Sequence, residues 1–132
     1  MSRLFADTFY FLALLNKHDE AHTKAVDYAH RVERMVTTEW VLTELADGLS
    51  SSRSRGMFSR TRQELLADEN VEVVPLQMEL YDEGVKLYAS RSDKEWSLTD
   101  CISFVVMERL GIAEALTADH HFEQAGFVRL LK

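Results

Sequence analysis

Apolar residues along the chain follow two patterns that alternate. The longer stretches carry them at helical spacing, and in one of these Ala21, Ala25 and Tyr28 fall on a single stripe. Thr99 is the predicted N-cap of the last long helix, and Gly111 is its predicted C-terminal stop. Five helices are predicted in this way: "DTFYFLALLN" (7–16), "DEAHTKAVDYAHRVERM" (19–35), "TEWVLTELADGL" (38–49), "LQMELYDEGVKLYASR" (76–91) and "LTDCISFVVMERLG" (98–111).

Short continuous apolar runs stand between these helices. Short buried strands that alternate with helices indicate βα units and a parallel sheet covered on both faces. We therefore predict an α/β fold, a three-layer α/β/α sandwich with four or five parallel strands. The runs are "RLFA" (3–6), "MVTT" (35–38), "VEVVPL" (71–76), "EALTA" (114–118) and "VRLL" (128–131).

Length, composition and cysteine content narrow the class of protein. With 132 residues, 46% of them hydrophobic, we expect one domain over 1–132 with its own core. No apolar run approaches the ~18–20 residues of a membrane span. Asp7 interrupts the apolar N-terminal stretch and no small-residue cleavage site follows, which argues against a signal peptide. The lone Cys101 excludes an internal disulfide, fits a reducing cytoplasm and is expected to be buried in a helix.

Charge is distributed unevenly along the chain. The net charge of −7 argues against binding nucleic acid through an overall positive field. Residues 50–63, "SSSRSRGMFSRTRQ", nevertheless contain four arginines and no acid, whereas residues 64–83 are strongly acidic. The arginines form either a solvated helix face or a locally basic surface, and both interpretations stay open. They are Arg53, Arg55, Arg60 and Arg62.

Four carboxylates are predicted to approach one edge of the sheet. Asp7 and Asp119 follow predicted strands, Asp100 lies in the first turn of a helix, and Glu44 lies on a largely apolar helix. Taken singly, the aspartates could cap helices or turns and Glu44 could be exposed. Functional groups of a parallel sheet gather at its carboxyl edge. Carboxylates gathered there would repel one another unless a cation such as Mg²⁺ or Mn²⁺ compensated them.

Four segments, in this order and spacing, resemble the PIN-domain family, and within it the VapC-type toxin ribonucleases of prokaryotic toxin–antitoxin pairs. The resemblance implies a PIN-like sheet in the order 3-2-1-4-5, single-stranded RNA as substrate and inhibition by a cognate antitoxin. The segments are "FADTFYFLALLNKHDEAH", "TTEWVLTELADGLS", "SLTDCISFVVMERLGI" and "ALTADHHFEQAGF", and they cover essentially the whole chain.

The resemblance also implies which residues act. The acidic site of the family falls on Asp7, Glu44, Asp100 and Asp119, and none of these acids is missing. Held mainly by Asp7 and Asp100, Mg²⁺ or Mn²⁺ would support hydrolysis of RNA phosphodiester bonds. The expected function is thus that of a cytoplasmic metal-dependent endoribonuclease, the toxin of a type II toxin–antitoxin pair.

Supporting roles follow from residues beside these acids. Thr8, Ser97 and Thr99 are expected to hydrogen-bond the carboxylates or water. His120 and His121, next to Asp119, are expected to support the site rather than to bind metal directly. Zinc is disfavoured because no partner cysteine or helix-spaced histidine accompanies the pair.

Contacts with larger partners are also expected. Arg53, Arg55, Arg60 and Arg62 are candidates for RNA contact, and antitoxin recognition is the rival role of that segment. The aromatic candidates for base stacking are Trp40, Trp96 and Phe58, with Trp40 also a core candidate. The apolar helix faces suggest a homodimer.

Two other classes compete with the nuclease. A catalytically silent PIN-fold module that binds RNA or a protein partner would keep the fold without cutting. A phosphoacceptor receiver domain would need two adjacent early acids and a lysine after a late strand. Asp7 stands alone and "EALTA" is followed by Asp119, so the receiver is rejected.

Overall fold

A computed structural model describes residues 3–132. Within this range five short strands alternate with helices, as the apolar pattern predicts. The strands are β1 (Leu4–Ala6), β2 (Met35–Thr38), β3 (Val71–Val74), β4 (Glu114–Leu116) and β5 (Val128–Arg129). The helices are α1 (Thr8–Leu15), α2 (His22–Arg31), α3 (Glu39–Gly48), α4 (Arg55–Ala67), α5 (Met78–Ser90), α6 (Leu98–Leu110) and α7 (His120–Gln124).

The strands form one parallel sheet in the order β3-β2-β1-β4-β5. Strand β1 is central: Phe5 pairs with Val36 of β2 on one side and with Ala115 of β4 on the other. This confirms the α/β class, the five-stranded parallel sheet and its predicted order. The central position of β1 brings the residue that follows it, Asp7, to the middle of the carboxyl edge.

The core beside β1 and β4 is built largely from aromatic rings. Phe104 of α6 meets Phe122 of α7 and Trp96 edge-on, with ring centroids 4.9 and 5.0 Å apart. Trp96 is only 6% exposed, and its indole N–H donates to Gln124 at 2.9 Å. The expectation that Trp96 stacks on RNA bases is therefore wrong. Trp40 and Phe58 are partly buried and pack against the same core.

Several details of the helices differ from the predictions. Helices α4 and α7 were not among the predicted five. No residue of α4 is fully buried, so its sequence carries little apolar periodicity. Helix α6 begins with Ser97 as N-cap rather than Thr99, because the Ser97 hydroxyl accepts from the Asp100 N–H. Gly111 ends α6 in the left-handed region at φ 68°, as predicted.

The expected burial of Cys101 in a helix is also confirmed. Cys101 is a free, buried thiol on α6. Within residues 3–132, none of the helices combines the length and the apolar character needed to cross a lipid bilayer.

Candidate active site

Asp7 and Asp119, the first and last of the four acids, lie at one edge of the sheet because they follow adjacent strands. Asp7 directly follows β1, and Asp119 lies shortly after β4. These strands pair in parallel through Ala6 and Leu116, so their carboxyl ends lie side by side. Asp7 occupies the N-cap position of α1 but makes no side-chain capping bond. Asp119, in contrast, accepts from the His121 N–H at 2.9 Å and so does cap α7.

A buried threonine connects these two aspartates. The Thr117 hydroxyl donates to Asp7 Oδ2 at 2.8 Å and accepts from the Asp119 backbone N–H at 3.0 Å. Thr117 is 0% exposed. Sequence reasoning missed its role because a threonine inside an apolar strand looks like an ordinary core residue. The only available signal was its position two residues before an acid at the end of a strand.

The amino end of α6 fixes the third acid. The Ser97 hydroxyl accepts from the Asp100 N–H at 3.0 Å, and Asp100 Oδ2 accepts from the Ser97 N–H at 3.2 Å. This reciprocal pair is a capping box, in which two otherwise unpaired N–H groups of the first turn are satisfied. It also locks the orientation of a carboxylate that is only 8% exposed.

Helices α1 and α3 bring in the fourth acid. The Thr8 hydroxyl, on the first residue of α1, donates a short hydrogen bond to Glu44 Oε1 on α3. This contact joins the residue after Asp7 to the middle of a helix 36 positions later in the chain. The predicted association of Thr8 with a site carboxylate is therefore present in the structure.

His121 stands between two of the carboxylates. Its Nδ1 lies 3.1 Å from Asp100 Oδ2 and 3.3 Å from Asp119 Oδ1. His120, by contrast, has a side chain that is 66% exposed and lies 3.7 Å from Asp119. His121 is thus placed to orient two acids at once, whereas His120 faces solvent.

Burial and neighbouring negative charges make three of the four acids hard to ionise. Burial raises the pKa of Asp7 to about 7; the Thr117 hydrogen bond opposes this, and the neighbouring charges of Asp100 and Glu44 add to it. Burial likewise raises the pKa of Asp100, and the charge of Asp119 adds to that shift. Burial also raises the pKa of Glu44, with further contributions from Asp100 and Asp119. Burial and at least one neighbouring acid thus raise the pKa of each of Asp7, Glu44 and Asp100.

These four acids line a single open cleft of about 680 Å³. Ser97 and His121 line it too, together with Glu95, an exposed acid that the sequence reasoning did not single out. In the part of the chain that the structure describes, no lysine or arginine lines this cleft. Hard oxygen donors without a cation from the protein suit Mg²⁺ or Mn²⁺, so the donor set fits a divalent metal ion.

A second arrangement of possible ligands lies at the rim of the cleft. The ligand atoms of Asp119, His120 and His121 fall within 4.8 Å of one another. These residues are consecutive, and the side chain of His120 is exposed. No cysteine joins them among the described residues, because Cys101 is buried within α6. The trio lacks the composition of a structural zinc site.

Other predicted residues lie outside the cleft. Thr99 occupies the first turn of α6 and does not line it. Arg62 is paired with Glu39 at 2.5 Å, and Arg55 donates to the Ser50 carbonyl at 2.8 Å. Arg53 and Arg60 are exposed. The arginine segment begins a few residues after Gly48, which does line the cleft.

Known proteins resemble the chain over nearly its full length. The 23S rRNA-specific endonuclease VapC20 of Mycobacterium tuberculosis is 27% identical over 128 residues, which are 96% of this chain and 97% of that protein. Its crystal structure, described as that of a sarcin-ricin loop cleaving toxin, superposes with a TM-score of 0.86 and covers 98% of this chain and 99% of that one.

More distant structures share the fold. VapBC2 from Rickettsia felis, bound to a DNA fragment from its promoter, gives a TM-score of 0.67 at 13% identity and covers 96% of each chain. FitAcB from Neisseria gonorrhoeae gives 0.66 at 15% identity, covering 96% of this chain and 94% of that one. The family model for the PIN domain matches residues 4–128, and with the sheet order and the acidic edge this establishes that the chain belongs to the PIN domain family.

Proposed function

We propose that this protein is a metal-dependent endoribonuclease and the toxin component of a type II toxin–antitoxin pair. The observation that carries the proposal is the convergence of Asp7, Glu44, Asp100 and Asp119 on one cleft with no lysine or arginine lining it within residues 3–132. Keeping such a cluster in a fold is costly unless a cation binds there. The similarity to an rRNA endonuclease over nearly the whole chain supports the same conclusion.

In this proposal Asp7 and Asp100 hold the metal ion, and Glu44 and Asp119 assist. When bound, Mg²⁺ or Mn²⁺ supplies Lewis-acid stabilisation of charge on the phosphate and lowers the pKa of water at the site. The protein contributes fixed orientations: Thr117 holds Asp7, the capping box with Ser97 holds Asp100, and Thr8 holds Glu44. Such preorganisation means that little rearrangement is needed when the scissile phosphate binds.

His121 is proposed to position the acids. Its Nδ1 is within reach of both Asp100 and Asp119. It can therefore hold these two carboxylates in a fixed relative orientation. The products expected from hydrolysis in this family carry a 5′-phosphate and a 3′-hydroxyl.

RNA is the proposed substrate, and large-subunit ribosomal RNA is the first molecule to test. The basis is the similarity to VapC20, which is described as specific for 23S rRNA. Because phosphates avoid an acidic cleft, positive groups outside it must help to bind RNA. Arg53 and Arg60 are exposed and can serve this purpose, whereas Arg62 and Arg55 already have partners. Antitoxin contact remains the alternative role for this segment.

The proposal also includes two protein partners, an antitoxin and a second copy of the chain, and places the protein in the cytoplasm. A cognate antitoxin would restrain the enzyme, and both would act in the cytoplasm with the RNA. A second copy of the chain would cover the apolar face of α5, formed by Met78, Tyr81, Val85 and Tyr88, which are 70%, 38%, 39% and 54% exposed. Along one flank of that face, Asp82 and Lys86 carry opposite charges. A two-fold antiparallel pairing of α5 helices would bring these charges together across the interface.

The deciding experiment is cleavage of end-labelled tRNA and rRNA by purified protein. Reactions contain Mg²⁺ or Mn²⁺, or excess EDTA, and compare the wild type with Asp100→Asn. Discrete cuts that need metal and vanish in Asp100→Asn are expected. Glu108→Gln is the matched control, since Glu108 is an exposed acid on the same helix, and it should cut as the wild type does.

Other outcomes would change the proposal. Absence of metal-dependent cutting by antitoxin-free wild type, across several RNAs, would favour a binding module that keeps the PIN fold without catalysis. Cutting that survives Asp100→Asn would mean a contaminating nuclease or a different site.

A further inference from the structure

A second cavity adjoins the acidic cleft. This groove, of about 920 Å³, lies between the α1–α2 connection and the end of the chain. It shares two lining residues with the cleft, Phe9 and Ala118. Phe9 lies two positions after Asp7, and Ala118 immediately precedes Asp119. Phe9 and Ala118, which line both cavities, are therefore close in sequence to Asp7 and Asp119, the first and last of the four acids.

The chemistry of the groove differs from that of the cleft. Apolar surface comes from the partly exposed Phe9, from Ala118, and from Ala21 and Leu131. An aromatic ring on such a wall offers a stacking surface for an unpaired base. A chain whose scissile phosphate lies at the acids would bring its neighbouring nucleotide to this wall.

The charged groups of the groove favour a base over a phosphate. Asp19, Glu20 and Asp27 line it, against two lysines, and the Lys24 ammonium is occupied by the main-chain oxygen of Lys132 at 2.6 Å. A phosphate would meet repulsion there. Carboxylates accept hydrogen bonds from the amino and imino groups on the Watson–Crick edge of a base. Guanine presents two such donors side by side, so it matches a carboxylate best.

We propose that this groove, defined by Phe9, Ala21, Ala118 and Glu20, binds the base of the nucleotide next to the scissile phosphate, with preference for guanine. The inference rests on the proposed ribonuclease function and adds a specificity subsite to it. Phe9 stacks on the base, and Glu20, which is exposed and faces the groove, accepts from its edge. Phe9 thereby supplies the stacking surface, and Glu20 supplies the preference for guanine.

The first test measures binding without cleavage. GMP, AMP, CMP and UMP are titrated separately, in EDTA, into protein with ¹³C-labelled alanine methyl groups, and NMR shifts are followed. We expect GMP to shift the Ala21 and Ala118 methyl signals and to bind more tightly than UMP. In Phe9→Leu the dissociation constant for GMP should rise about 5- to 20-fold, as expected when a base-stacking aromatic is lost.

A second variant and a control keep the result interpretable. Glu20→Gln should reduce the preference for GMP over UMP about 3- to 10-fold, because a charged acceptor is lost. Phe127→Leu changes a partly buried phenylalanine that lines neither cavity and should leave GMP binding unchanged. Equal binding of all four nucleotides, GMP titrations that leave the Ala21 methyl signal unchanged, or unchanged GMP binding in both variants would overturn the proposal.

Cleavage then separates this inference from the function on which it rests. The cut sites of the wild type are mapped, and short RNAs are made with each of the four bases beside the scissile bond. Glu20→Gln should lose the base preference mainly through KM, whereas Phe9→Leu should raise KM for all four bases. Identical preference in Glu20→Gln and the wild type would overturn the subsite while leaving the ribonuclease intact. If the wild type cuts no RNA, the ribonuclease proposal fails, and the nucleotide titration still decides whether the groove binds bases.

Discussion

The acidic cleft and the apolar face of α5 both depart from the usual distribution of side chains, in which charged groups are exposed and large apolar groups are buried. At the cleft, carboxylates are buried: Asp7 is 5% and Asp100 is 8% exposed. On α5, large apolar side chains are exposed, with Met78 at 70% and Tyr88 at 54%. Buried charge without compensation and contiguous exposed apolar surface are both costly for an isolated domain. Each region is therefore suited to a binding partner of its own chemistry, a cation in one case and an apolar protein surface in the other.

The largest expected effect comes from removing the charge of one buried acid in the cleft. Asp7→Asn keeps an oxygen that can accept from Thr117 but removes the negative charge. RNA cleavage should fall on the order of 10³-fold, as when one preorganised electrostatic group is lost. The melting temperature in EDTA should rise at about pH 8, above the pKa of Asp7, where the wild-type carboxylate is charged. Cleavage assays and thermal melts of the same samples check both results.

Asp47→Asn is the matched control for this variant. Asp47 is an exposed acid on α3, near Glu44, and its neutralisation should change neither activity nor melting temperature appreciably. A lower melting temperature for Asp7→Asn than for the wild type, in the same metal-free buffer, would contradict the view that repulsion among the acids of the cleft destabilises the metal-free fold.

A charge added to the apolar face of α5 tests whether this face binds a second copy of the chain. Val85→Glu should weaken self-association on the order of 100-fold, because two carboxylates would be buried in a symmetric interface. Sedimentation velocity over a range of concentrations checks this. Val128→Glu places the same change at another exposed valine, 51% exposed on β5, and should leave association unaltered. A wild type that stays monomeric at high concentration would remove the second copy as the partner of this face.

The pH dependence of stability sharpens the contrast, because buried acids of the cleft have raised pKa values. Burial raises the pKa of Asp7 from 3.8 to about 7. In metal-free protein the folded state keeps this proton up to about pH 7, whereas the unfolded chain releases it near its ordinary pKa. The stability from this group is present in full at low pH and is lost as the pH rises towards 7, by at most about 1.4 kcal/mol per pH unit.

Urea denaturation in EDTA between about pH 5 and pH 8 measures this effect. The free energy of unfolding of the wild type, relative to Asp7→Asn, should fall up to about pH 7 and level off above it. Adding Mn²⁺ should reverse the trend, since metal binding competes with the proton. A difference that increases with pH in EDTA would contradict the raised pKa.

The smallest expected effect comes from the threonine that supports Asp7. Thr117→Val removes the hydrogen bond that holds the pKa of Asp7 down, so that pKa should rise further. Cleavage near neutral pH should fall about 5- to 10-fold, the value of one hydrogen bond, and should recover partly at higher pH. A pH–rate profile distinguishes this from simple structural damage.

Thr37→Val is the corresponding control. Thr37 is equally buried, and its hydroxyl donates to the Ala6 carbonyl at 2.8 Å rather than to an acid. Its replacement should lower stability without changing the shape of the pH–rate profile. Identical profiles for the two variants would mean that Thr117 does not act through Asp7.

The strands and the acids that follow them could be predicted, because both depend on the local pattern of apolar and polar residues. Each strand was recognisable because it is a short apolar run, and Asp7 and Asp119 were found because each follows one closely. Helix α4 escaped prediction since none of its residues is fully buried. The burial of Trp96 depends on Phe104 and Gln124, which approach only in the folded chain. The link from Thr117 to Asp7 spans 110 positions, a separation at which one sequence carries no signal.

The remaining proposed contacts stay predictions for the same reason. Arg53 and Arg60 are exposed, and nothing in their local sequence distinguishes an RNA contact from an antitoxin contact. The groove beside Phe9 was invisible in the sequence, because its wall is made by two segments that meet only when β1 and β4 pair.

The strand order has a consequence for the protein as it is being made. The central strand β1 is translated before the other four strands, yet its neighbour β4 and the acid Asp119 follow more than a hundred residues later. A nascent chain therefore lacks the complete acidic cluster until almost the whole domain has been synthesised. For the proposed ribonuclease, this topology delays assembly of the site until synthesis of the domain is nearly finished.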